Sequence, residues 1–247
     1  MQAHTAFAAH APVEAPSVRI EVLTGRALVD GAEIALCPTH RLLVCALARC
    51  RHAVASEQLR ALMWPDDDPA RSANLLNMAV HRLRKRIGDR AVVQSPEGYR
   101  LGDAVVLDLW EIEALATQLR GTRAPDLVAA AHWLPMAQRV CCGCVRSACD
   151  PEFVGLLERR MHAAAREITG RLAGHALARQ RPDLALALSR VVLDFDACDE
   201  DACELAIRAH LALGDRAAAI REYRDYTRAL TRDLGLTPSF ALGSLVA

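Results

Sequence analysis

At 247 residues the chain is long enough for two modest domains with cores of their own, and a hydrophobic content of 52% excludes a disordered chain. Thirty Lys and Arg balance thirty Asp and Glu, so a net charge of zero excludes a uniformly basic nucleic-acid coat. No apolar run is long enough to span a membrane. Met1 to Pro16 lacks the cationic start and apolar centre of an export signal, so it reads as a flexible tail and the expected location is the cytoplasm. In that setting the nine cysteines read as thiols or ligands before disulfides.

Arg19 to Leu36 reads as extended. Ile20–Val22, Ala27–Val29 and Glu33–Leu36 are short β-type runs, and Asp30-Gly31 is a tight-turn signal, which predicts a small antiparallel sheet. Thr39, after Pro38, is placed to cap a helix running to about Arg51, with Leu42, Leu43, Ala46 and Leu47 on its buried side. A second helix is expected with Ser56 as its N-cap, carrying Leu59, Leu62 and Met63. Trp64 to Pro69 is expected to be a loop, because both prolines resist helix continuation. Ser72 to Ile87 is the next helix and Gly88 ends it. Ala91–Gln94 and Tyr99–Leu101, around a turn at Ser95–Gly98, predict a hairpin.

The helix over 72–87 has two incompatible faces. At about 100° per residue, Leu76, Val80, Leu83 and Ile87 form an apolar stripe with Ala79 beside them. Asn74, Met78, His81, Arg82 and Lys85 fall opposite, with Arg71 just upstream. From Arg71 to Arg100 there are seven cations (Arg71, Arg82, Arg84, Lys85, Arg86, Arg90 and Arg100) against Asp89 and Glu97, which marks a local anion-binding surface. Asn can bond adenine bidentately and Arg can do the same to guanine, so Asn74, Met78, His81 and Arg82 are the candidates for base readout. Asn77 lies on the flank, in reach of a base or a phosphate. Met78 has a second reading as a packing residue, and His81 as a plain exposed histidine. Arg71, Arg84, Lys85 and Arg86 are the phosphate candidates, with Arg84 alternatively pairing an acid of its own domain. On the hairpin, Tyr99 and Arg100 are candidates for a minor-groove contact. The competing reading for the Gly98-Tyr99 pair is structural, packing the hairpin onto the helix.

The order sheet, helix, helix, loop, basic helix, hairpin is that of a winged helix-turn-helix with an N-terminal sheet. Glu57-Gln-Leu-Arg-Ala-Leu-Met-Trp64, His81-Arg-Leu-Arg-Lys-Arg-Ile-Gly88 and Gly98-Tyr-Arg-Leu101 occur in the order and spacing of the OmpR/PhoB class of DNA-binding domains, which residues 17–102 resemble. The resemblance implies that Arg82 stands where this class commonly places a base-contacting arginine. It also implies that the Trp64 indole N–H can bond a phosphate.

The second half reads as helical. Val106 to Leu115 leads in, and Asp126–Val140 and Pro151–Leu172 follow, the first expected to kink or split at Pro135. Leu177–Leu188 superposes on Leu211–Glu222 at an offset of 34 residues (177 to 211), the tetratricopeptide period. Gly214, Ala219 and Tyr223 sit where that repeat wants a turn glycine, a small contact residue and an aromatic. The expected fold is therefore an α+β winged helix-turn-helix followed by an all-α tetratricopeptide-like domain. Its divisions are a tail over 1–16, a DNA-binding domain over 17–104 and a helical domain over 105–247.

Taken with Leu107-Asp-Leu-Trp110 and Leu230-Thr-Arg-Asp-Leu-Gly-Leu-Thr-Pro-Ser239, the chain resembles the SARP class of bacterial activators, its second part similar to their bacterial transcriptional activator domain. The resemblance implies a regulator that binds direct repeats of double-stranded DNA near a promoter, pairs as a homodimer there and contacts RNA polymerase. No nucleophile–base pair, phosphate-binding glycine loop or metal triad stands out, so neither an enzyme nor a cofactor is expected. Cys141, Cys142, Cys144 and Cys149 lie within nine residues. Clustered thiolates suit a metal or redox role, but this spacing lacks paired Cys-x2-Cys knuckles, and small apolar packing is the competing reading. The alternative function is a helical-repeat adaptor, or a thiol- or metal-responsive regulator, acting mainly through protein partners.

Overall fold

Strands β1 (Val18–Glu21), β2 (Arg26–Val29) and β3 (Ala32–Ala35) form an antiparallel meander. The computed structural model describes residues 18–122, 125–141 and 151–246. The tail expected over 1–16 lies outside them, as do Cys142, Cys144 and Cys149. The β2–β3 turn is Asp30-Gly31, with φ of 51° and 83°. Two consecutive positive φ values match the twist of a two-residue hairpin.

Helices α1 (Pro38–Ala48), α2 (Ser56–Met63) and α3 (Pro69–Ile87) follow, then the hairpin β4 (Val92–Ser95) and β5 (Gly98–Leu101). Two expected caps are corrected. Pro38 takes the first position of α1, so Thr39 is inside the helix and neither Cys37 nor Ala55 makes a side-chain cap. Ser56 is the first residue of α2, not its cap. Helix α3 starts three residues before the expected point (69 against 72), because Pro69 needs no N–H partner at a first position. Asp68 caps it, its carboxylate accepting from the N–H groups of Ala70 at 2.9 Å and Arg71 at 3.4 Å. Such a cap is worth about 0.5–2 kcal/mol.

The strand absent from the sequence reading is β6 (Val105–Leu107). It pairs in parallel with β1, giving a four-stranded sheet of order β3-β2-β1-β6. Helix α4 (Asp108–Arg120) leaves this strand directly. The remaining helices are α5 (Leu127–Cys141), α6 (Glu152–Ala178), α7 (Pro182–Phe195), α8 (Glu200–Ala212), α9 (Arg216–Leu234) and the short α10 (Leu242–Val246). Pro135 does not split α5. It stands on the exposed side, where water meets the carbonyl it leaves without a partner, while Ala130, Trp133, Ala137 and Cys141 are buried opposite.

The repeat is visible in the backbone. Helices α7 and α9 start 34 residues apart (182 and 216), and α6 and α8 end 34 apart (178 and 212). Gln180 and Gly214, equivalent in the repeat, both turn left-handed, with φ of 56° and 78°. Ala219 is fully buried, and the Tyr223 hydroxyl donates to the Phe240 carbonyl at 3.0 Å.

The Leu107-Asp-Leu-Trp110 run is the joint between the halves. The Asp108 carboxylate is fully buried and accepts from the N–H of Val22 at 3.1 Å and of Leu109 at 2.7 Å. The Trp110 indole donates to the Ala48 carbonyl at 3.2 Å, and Arg51 lies over its ring at 4.8 Å. Buried Glu21 receives Arg139 of α5 at 2.7 Å, and Arg160 of α6 joins Glu113 and the Arg49 carbonyl. One apolar core runs from the sheet through α4 into α6 and α7.

Candidate nucleic-acid interface

The local sequence of α3 sorts its side chains cleanly. Ser72, Leu76, Ala79, Val80, Leu83 and Ile87 are buried. Each large apolar side chain so buried contributes roughly 1.5–3 kcal/mol, which fixes the rotation of the helix about its axis. That rotation leaves Asn74, Asn77, Met78, His81, Arg82 and Lys85 exposed. Met78 is 46% exposed, against its packing reading. Among the described residues, the side chains of Asn74, His81, Arg82 and Lys85 hold no hydrogen bond or ion pair. The structure brings these four together with Met78 on one outward surface.

The flanking arginines do something else. Arg84 Nε donates to the Val92 carbonyl at 2.9 Å, tying α3 to the hairpin. Its partner is a carbonyl of its own domain, not the acid considered from sequence. Arg86 donates to the Ala35 carbonyl at 3.1 Å, tying α3 to β3 on its other side. Arg71 pairs with Asp67 one turn earlier at 3.3 Å and stays largely exposed. The positive field reaches α1: the His40 pKa is lowered, first by burial and then by Arg86 and Arg82.

The hairpin contributes less free charge than its sequence suggests. Tyr99 is 4% exposed, which corrects its reading as a surface contact. Its backbone bridges Val54 in both directions, at 2.8 and 3.0 Å, and its hydroxyl donates to Asn77 Oδ1 at 3.3 Å. Gly98 makes this possible: it has φ 137°, and a Cβ there would stand 2.0 Å from the Val54 carbonyl oxygen. Arg100 is engaged by Asp103 at 2.8 Å. Trp64 closes α2 through its backbone N–H, which donates to the Arg60 carbonyl at 2.8 Å, and its side chain is half-buried against the core. Asp68, Asn77's partner Tyr99 and the carbonyl partners of Arg84 and Arg86 were not assigned from sequence. Of these only Asp68, an Asp immediately before Pro, carried a local signal.

The described residues contain no helix long and apolar enough to cross a membrane and no His, Cys, Asp and Glu group able to hold a metal. Cys141 is buried at the end of α5.

A winged helix with an unpaired polar and cationic outer face, joined through α4 to tetratricopeptide-like helices, is the architecture of a SARP-type bacterial transcriptional regulator. Residues 107–247 match the family model of the bacterial transcriptional activator domain, and the chain belongs to that family. The solved structure of Mycobacterium tuberculosis EmbR in complex with a low-affinity phosphopeptide is similar in fold, with a TM-score of 0.62 and 22% identity. The likeness covers 93% of this chain and 63% of that one, so the chain spans somewhat under two thirds of EmbR's length there. No curated protein matches.

Proposed function

We propose that the chain is a sequence-specific DNA-binding transcriptional activator. Helix α3 enters the major groove, where Asn74, Met78, His81 and Arg82 read base edges. Lys85 and Arg71 neutralise phosphates, with Trp64 and Arg100 on the margins. Asn77 presents its amide N–H groups outward, because the Tyr99 hydroxyl occupies its oxygen. Arg84 and Arg86 hold the helix at a set angle to the hairpin and sheet. The observation that carries this reading is the outer face of α3: a fixed rotation, braced flanks and four polar side chains left without partners in its centre. A buried stripe alone would fold the domain. Unpaired guanidinium and amide groups on the opposite face add nothing to folding and suit a polyanion with patterned base edges.

By family, the helical-repeat half contacts RNA polymerase and two copies bind direct repeats near a promoter. The division at residue 104 is then one of task, since β1 and β6 share a sheet across it. Fragments of the source genome selected with the purified chain and footprinted over a salt series test the reading. The expected result is protected direct repeats whose affinity falls steeply with salt. Weak, uniform binding that vanishes at physiological salt would overturn it.

A further inference from the structure

A second candidate site lies away from α3, where the two halves meet. Two hollows of about 490 Å³ and about 590 Å³ share Arg49, Ala61, Leu62 and Leu156, so they form one trough. One wall comes from α1, α2 and the segment between them, and the other from the start of α6. The volumes are those of small-molecule sites, which are concave and mostly apolar with a few convergent polar groups. Val54 and Leu62 supply the apolar surface on one side, and Phe153 and Leu156 on the other. Leu156 is 38% exposed, an uncovered leucine at the point where the hollows join.

Charge decides what kind of occupant fits. Arg49 and Arg159 both line the larger hollow, and His52 lines the smaller. Among the described residues, neither arginine side chain holds an ion pair or hydrogen bond, although Arg160 next in sequence is fully engaged. The trough has one acid, Glu152, on an exposed position. Two unpaired guanidinium groups above an apolar floor match a carboxylate carried on an apolar body: the carboxylate gains charge-assisted hydrogen bonds and the body covers the leucines.

We propose that this trough binds a small amphipathic organic acid, with its carboxylate at Arg49 and Arg159 and its apolar body on Leu62, Phe153 and Leu156. The site does not depend on DNA binding and is tested without it. Straight-chain carboxylates from hexanoate to dodecanoate, below their micelle-forming concentrations, are titrated into the full chain by calorimetry and thermal melting. Decyltrimethylammonium serves as the cationic control. The expected result is saturable one-to-one binding of at least one carboxylate, with a Tm rise of roughly 5 to 10 °C at a hundredfold excess over Kd. The Arg49→Gln/Arg159→Gln double variant, altered only at exposed positions, should keep the wild-type Tm without ligand and lose at least tenfold in carboxylate affinity. No saturable binding of any carboxylate, equal binding of the cation, or unchanged affinity in the double variant would each overturn the proposal. Leu156→Asp is the second variant. It should abolish binding, and retained binding would also overturn the proposed site.

Discussion

The outer face of α3 and the joint around α4 treat charge in opposite ways. At the joint, charges are paired or deeply buried: Glu21 with Arg139, Glu113 with Arg160, Arg51 over Trp110, and Asp108 under two backbone N–H groups. At the centre of α3, Arg82 and Lys85 are left in solvent without a counterion among the described residues. A charge paired across two elements specifies how they sit, even where its arginine is partly exposed, whereas an unpaired exposed cation keeps its hydration and its attraction for an outside anion. The same contrast recurs within α3. Arg84 and Arg86 are spent on carbonyls of the domain itself, and Arg82, between them and the apolar stripe's far side, is not.

At the joint, the group most sensitive to its surroundings is Asp108. Burial pushes the Asp108 carboxyl up to about 7; the Val22 and Leu109 N–H groups and Arg19 oppose that shift, and Glu21 adds to it. The folded state therefore holds this proton more tightly than the unfolded chain. Its stabilising contribution is full below the ordinary carboxyl range and is lost as pH rises through about 7. Urea denaturation between pH 5 and 8 should show wild-type stability falling relative to Asp108→Asn by on the order of 1 kcal/mol per pH unit below pH 7. A constant difference between the two proteins would break this account of the joint.

Next comes Arg82. Its replacement by Ala should cost about 1–3 kcal/mol of discrimination at one base pair while leaving thermal stability within roughly 0.5 kcal/mol of wild type. Arg84→Ala should invert that pattern. Stability should fall by roughly 1–2 kcal/mol, from the lost bond to the Val92 carbonyl, and binding should weaken evenly over all DNA sequences. Thermal melts beside operator titrations distinguish the two. Tyr99→Phe is the smallest: a loss of about 1 kcal/mol, felt in binding only at the nucleotide facing Asn77. A preference profile identical to wild type at every position would remove Tyr99 from the positioning of Asn77.

The halves of α3 were unequally legible in the sequence. Its buried stripe could be read directly, because Leu76, Val80, Leu83 and Ile87 repeat with the helical period and nothing else satisfies them. The tasks of Arg84, Arg86 and Tyr99 could not, because their partners Val92, Ala35 and Asn77 are brought near only by tertiary packing. Strand β6 was hidden for a similar reason. Val105–Leu107 is three residues long and runs straight into a helix, and its partner β1 lies at the opposite end of the domain. Residue type alone points to Thr39 and Ser56 as caps, but Pro38 holds the first helical position of α1 and Ser56 is already inside α2. The repeat was legible because its period is carried by Gly214 and by small and apolar residues that a neighbouring helix must cover.

The most direct test of the central claim is a paired titration of wild type and Arg82→Ala on the selected operator and on the same operator changed one base pair at a time. The account predicts that wild type loses affinity at each contacted position, and that the variant no longer distinguishes the bases at one of them while keeping its discrimination elsewhere. Equal discrimination by the two proteins at every position would contradict it, since the free face of α3 would then not be the surface that reads DNA.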